Sequence, residues 1–92
     1  MTYMIIERYY RYKIKKLYQR MEIVGRQLPE GVTYVDSWVD EGMSTCYTIM
    51  ESETYEQLKE WMNHWKEFCE FEVIPVISNE QAKEKALNPQ LQ

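Results

Sequence analysis

Two periodicities alternate along the chain. Tyr3 to Tyr9 is crowded with β-branched and aromatic residues, the make-up of a strand. From Tyr10 the period lengthens. Ile14, Leu17, Met21 and Val24 recur at helical spacing, while Lys15, Lys16, Gln19, Arg20 and Glu22 fall on the other side. Gly25 stands where a helix calls for a left-handed cap. Pro29-Glu30-Gly31 spells a turn, since proline pre-sets φ and glycine accepts the positive-φ position. Val32 to Val39 then alternates as a second strand, with Val35, Ser37 and Val39 on one face and Tyr34, Asp36 and Trp38 on the other.

Asp40-Glu41-Gly42 closes a hairpin, with Gly42 in the left-handed position, and Thr45 to Glu51 forms the third strand. Thr54-Tyr55-Glu56-Gln57 fits a capping box. The helix it starts carries an apolar stripe of Tyr55, Leu58, Trp61, Met62, Trp65 and Phe68. Glu70 to Ile77 is the last strand, and Pro75 within it removes a ladder donor, so it belongs at a sheet edge. Ser78-Asn79-Glu80-Gln81 starts a final helix anchored only by Ala82, Ala86 and Leu87. It is expected to be short and frayed, with a loose tail after Pro89. The division is therefore a domain over 1–78 and a helix and tail over 79–92.

Two strand–helix–strand units joined by a hairpin, each with a right-handed crossover, give the ferredoxin-like βαββαβ arrangement. This is an α+β fold: a four-stranded antiparallel sheet in the spatial order fourth, first, third, second, with two helices on one face. Parity divides the side chains. Met4, Ile6, Val35 and Val39 are expected under the helices, together with Cys46, Thr48, Met50, Phe71 and Val73. The bare face then receives Tyr3, Ile5, Glu7, Tyr34, Asp36 and Trp38 from the first two strands. Tyr47, Ile49, Glu51, Glu72 and Ile74 join them from the last two. A patch so apolar demands a cover, and a second copy related by a two-fold axis is the common one.

Composition narrows the function classes. Eight tyrosines and three tryptophans in 92 residues exceed what one core requires, which agrees with a second covered surface. The net charge is −4, and the basic stretch from Arg8 to Arg20 is bracketed by Glu7 and Glu22. Nucleic-acid binding needs a basic face that this chain lacks. No apolar run approaches the roughly 20 residues of a membrane span, and no secretory leader is expected. Cys46 and Cys69 are too few and too far apart for a disulfide framework or a redox pair, so they are expected as buried thiols in a reducing cytoplasm.

The candidate chemistry lies on the bare face. Glu7 and Glu72, on neighbouring strands, are expected to meet at one end of the sheet near Tyr47 and Trp38. Enclosed there, one carboxyl would have its pKa raised and could act as a general acid or base. The alternative is an interface pair neutralised by Arg8, Arg11 or Arg26. Ile5, Trp38, Tyr47, Ile49 and Ile74 are the expected ligand-binding residues, and Tyr3, Tyr34, Asp36 and Glu51 the expected dimer contacts. His64 is the single histidine and has no second ligand at metal spacing. It is expected half-exposed beside Glu60, so no metal site is assigned and no cofactor is implied. Trp61 and Trp65 read as core anchors.

Met4-Ile5-Ile6-Glu7, the run from Gly25 to Val39, and Phe71 to Ile77, with Cys46, Met50-Glu51, Trp61 and Trp65, resemble a family of short uncharacterised bacterial proteins. The resemblance implies a member of the dimeric α+β barrel superfamily, in which two ferredoxin-like sheets face each other around a cavity. That superfamily includes haem-degrading and antibiotic-synthesis monooxygenases, lactone isomerases and dehydratases. Its haem-degrading members carry an asparagine where this chain has Glu7, a departure that argues against haem chemistry. The functional expectation is a protein without an assigned activity: a cytoplasmic homodimer holding a small apolar or aromatic ligand between its sheets. The alternatives are a cofactor-independent isomerase or monooxygenase with Glu7 as proton shuttle, and a structural dimer with a filled interface.

Overall fold

The computed structural model describes residues 1–88; the tail expected after Pro89 lies outside them. The elements run β1 (Thr2–Tyr9), α1 (Ile14–Val24), β2 (Val32–Val39), β3 (Thr45–Ser52), α2 (Tyr55–Trp65), β4 (Cys69–Val76) and α3 (Asn79–Leu87). All strand pairs are antiparallel, and the sheet order is β2-β3-β1-β4. This is the ferredoxin-like order that the split crossover units require, and it puts Pro75 on an edge strand.

The predicted capping box at the start of α2 forms. The Gln57 amide N–H donates to Thr54 Oγ1 at 3.1 Å, and the Thr54 N–H donates to Gln57 Oε1 at 3.2 Å. Ser78 and Gln81 repeat the exchange at the start of α3. The Pro29–Gly31 turn also stands, with Gly31 at φ 87°. The β2–β3 hairpin differs: Met43, at φ 58°, takes the left-handed position expected of Gly42. Asp40 holds that loop by accepting the N–H groups of Thr45 and Ser44, and these bonds, the one from Thr45 first, keep its carboxyl below the usual range.

The core lies between the sheet and α2. Leu58, Trp61 and Trp65 project from the helix and pack with Phe68 onto Tyr3, Ile5, Val32 and Met50. Trp61 meets the edge of Phe71 at 5.7 Å between centroids, and Tyr3 tilts against Tyr55 at 6.2 Å. In α1 only Leu17 is buried; Val24, expected inside, is the last helical residue and is exposed.

The faces of β1 are the reverse of the expected ones. Tyr3, Ile5 and Glu7 point toward the helices, and Met4 and Ile6 lie on the open side. Cross-strand partners share a face, and Tyr3, Ile5 and Glu7 pair with Met50, Thr48 and Cys46, which do face inward. The strand has apolar residues of both parities, so alternation alone could not choose. Placing the carboxylate outward was the error.

Strand β2 departs for another reason. Its register with β3 slips between Tyr34 and Asp36: Tyr34 pairs with Met50, yet Asp36 pairs with the very next residue, Ile49. Val35 is the extra residue of a β-bulge and is 52% exposed rather than inside. The bulge turns Tyr34 and Ser37 to the same helix-side face, where Tyr34 Oη and Ser37 Oγ are 2.6 Å apart. Tyr34 therefore leaves the open face to which strict alternation assigned it.

Candidate functional site

A cavity of about 270 Å³ opens between the sheet and the two helices, at the end of β1 that carries Glu7 and Tyr9. Its floor is Glu7, Cys46 and Thr48, and its apolar walls are Leu17, Met21, Val39, Trp61 and Trp65. Tyr18 is the one exposed side chain of the lining and marks where the space meets solvent. A larger hollow of about 940 Å³ runs along α3, but that helix buries no side chain and the hollow gathers no buried polar group. The smaller space is the one with chemistry in it.

Glu7 is only 8% exposed. Thr48 Oγ1 donates to its Oε2 at 2.5 Å, and the Cys46 thiol lies 3.4 Å from the same hydroxyl. Burial pushes the Glu7 pKa up, and it outweighs the Thr48 and Cys46 hydrogen bonds and the positive charge of Arg26, which pull it down. Burial thus favours the protonated carboxyl. Burial also raises Tyr9, with the nearby Cys46, Tyr18 and Glu7 adding to the effect, so that its phenol stays neutral. Cys46 is raised by burial and then by Glu7, and Cys69, pushed up to about 12, follows the same order of causes. A thiol held protonated is a poor nucleophile.

Arg26 enters from the loop after α1 and is fixed twice. Its carbonyl oxygen accepts both indole N–H groups, Trp61 Nε1 and Trp65 Nε1, each at 3.0 Å. Its guanidinium stacks on the Tyr34 ring, with Cζ 3.6 Å from the centroid. The backbone before it requires glycine: Gly25 has φ 67° and ψ −158°, a combination almost confined to glycine. Gln27 follows at φ 56°. Two tryptophans one helical turn apart read as core from their spacing, and they are buried. What the spacing could not reveal is that both indoles converge on one loop carbonyl.

The other expected site residues separate. Ile5 and Tyr3 are core and are not in the lining of the Glu7 cavity. Glu72 is on the open face, opposite Ile6, and pairs with Arg8 at 2.9 Å. Glu7 and Glu72 therefore sit on opposite faces of the sheet and do not form a pair. The open face keeps Asp36, Trp38, Tyr47, Ile49, Glu51 and Ile74, joined by Met4 and Ile6. Trp38, opposite Tyr47, is 60% exposed. His64 is exposed on α2, and its carbonyl accepts from Arg20 Nη1; among the described residues it makes no ion pair with Glu60. Among those residues no group of three His, Cys, Asp or Glu is placed to hold a metal ion. Among the described residues no helix is long and apolar enough to cross a membrane.

No curated protein and no solved structure matches the chain. One family model does, over residues 1–88, so it takes in every strand and helix described above, together with the Glu7 cavity and the Arg26 loop. The chain belongs to the family described as a domain of unknown function, DUF3303.

Proposed function

We propose that each protomer binds a small organic molecule in the cavity between its sheet and helices, with the Glu7 carboxyl facing the occupant. The observation that supports this is the company Glu7 keeps: a buried carboxyl on the floor of a space walled by two tryptophans, a leucine and a methionine. A largely apolar pocket with a few convergent polar groups is the usual form of a small-molecule site. Its volume is just under the lower end of about 300 Å³ for drug-sized ligands, so the occupant is small.

A second reading, proton transfer to or from that molecule, is supported by the raised pKa of Glu7. A carboxyl whose protonated form is favoured by burial can act as general acid, and then as base, without a cofactor. The homodimer is proposed through the open face, where Met4, Ile6, Trp38, Tyr47, Ile49 and Ile74 form an apolar surface that water covers poorly. Two buried, unpaired thiols support a reducing, cytoplasmic setting.

The test is a screen of small aromatic and aliphatic fragments by nuclear magnetic resonance, with the indole N–H signals of Trp61 and Trp65 as reporters. Binding in the cavity shifts these two and leaves Trp38 in place. If every fragment that binds shifts Trp38 instead, the ligand site is the open face and the proposal fails.

A further inference from the structure

The cavity lining contains one permanently charged group, the guanidinium of Arg26. Among the described residues no carboxylate lies within 4.0 Å of it; the two ion pairs formed are Arg8–Glu72 and Arg20–Glu67, both elsewhere. Nor does its guanidinium donate a hydrogen bond to another described residue. Glu7 is the acidic group of the lining, and its burial favours the neutral form. In a chain of net charge −4 the cavity therefore presents a positive interior.

The guanidinium is also held in place. A loop arginine that merely faced solvent would need neither two indole N–H groups on its carbonyl nor an aromatic ring under its plane. Here the β2 bulge brings Tyr34 to the helix side, Ser37 steadies its hydroxyl, and the ring supports the guanidinium from beneath. Stacking uses the face of a guanidinium and leaves its edge, where the paired donors lie, free to meet a carboxylate in bidentate fashion.

Resting on the cavity being a ligand site, we infer that its occupant is a small monocarboxylate with a flat apolar body, and that Arg26 is the anchor for the carboxylate. The body lies against Trp61, Trp65, Leu17 and Met21. Glu7 faces the remainder of the molecule from the floor.

The probes are benzoate and benzamide, which share a ring and a planar head group but differ in charge. Each is titrated at about neutral pH into the wild-type protein, Arg26→Gln and Arg26→Lys, with the Trp61 and Trp65 indole signals followed. Both substitutions keep the carbonyl that these indoles bind, so undisturbed starting signals certify the fold of each variant. The wild type should bind benzoate at least about tenfold more tightly than benzamide, the scale of a charge-assisted hydrogen-bond pair. Arg26→Gln should bring the two probes level, and Arg26→Lys should retain a preference for benzoate. Equal affinities in the wild type, or a benzoate preference that survives in Arg26→Gln, overturns the assignment of Arg26 while the cavity stands as a binding site. Failure of both probes to move either indole at millimolar concentration removes the cavity as a site and this inference with it.

Discussion

Replacing Glu7 by glutamine removes a charge and almost nothing else. The amide has the same length and shape, and its oxygen can still accept the Thr48 hydroxyl that donates to Oε2 at 2.5 Å. The sign of the effect follows from the direction of the shift. Glu7 has its folded-state pKa raised by burial, so between the ordinary carboxylate value and the raised one the folded protein binds more protons than the unfolded chain. Below that window the carboxyl is neutral in both states and no stability is lost. As pH rises through it, the wild type loses about 1.4 kcal/mol for each pH unit the window spans. Glutamine has no such loss. For a domain of roughly 60–100 residues, 1 kcal/mol moves the melting temperature by about 4–8 °C. The variant should therefore gain on the wild type by about 6–11 °C per pH unit of the window and hold the gain at neutral pH. Asp40 titrates in the opposite sense, since its carboxyl is held low, but it is common to both proteins and cancels in the difference. Melting curves by circular dichroism from pH 4 to pH 8 provide the measurement. Parallel curves at every pH, or a glutamine variant less stable at neutral pH, would mean that Glu7 ionises without penalty, and the proton-bearing cavity would be wrong.

Two further predictions address other parts of the molecule. Trp38→Ala should weaken self-association in sedimentation equilibrium while the helical circular dichroism is unchanged, because the indole lies on the open sheet face away from both helices; a variant as dimeric as the wild type at low micromolar concentration would place the interface elsewhere. Gly25→Ala should cost about 1–3 kcal/mol in urea unfolding, although a Cβ there meets nothing within 4 Å, because the cost is backbone strain alone; a neutral result would show that the loop can turn another way.

The order of elements, the strand order and the Thr54–Gln57 capping box were legible because each rests on a local signal. Thr54 and Gln57 recognise each other across one helical turn, and Pro75 marks its own edge wherever the rest of the sheet goes. The cavity was not legible in this way. Its floor depends on the facing of β1, where Tyr3 and Ile5 compete with Met4 and Ile6 on equal apolar terms and only the cross-strand partners decide. Its anchor depends on a bulge, which a two-residue period cannot express, and on a loop arginine whose value comes from Trp61 and Trp65, some 35 and 39 residues away in the chain. A charged side chain in a strand reads as outward by default, and Glu7 breaks that default because Thr48 is there to receive it. Alternation along β3 gives the inward parity of Cys46, Thr48 and Met50 directly. Carrying it across the β1–β3 register would have turned Glu7 the right way.

Val35 shows how a position can matter without its side chain mattering. Its isopropyl group is more than half in solvent, so most replacements there should be silent. Its peptide unit, however, is the spacer that keeps the two halves of β2 out of step, the first half in phase with the Tyr34 ring and the second with Ser37 and Val39. Drawing Val35 into the ladder as an ordinary paired residue would force one half to rotate, taking Tyr34 from beneath the guanidinium or turning Trp38 inward. Losing the residue altogether would instead leave Tyr34 opposite Met50 and Asp36 opposite Ile49 in one unbroken ladder, so among relatives this stretch should drift in letter and tolerate the loss of that one position.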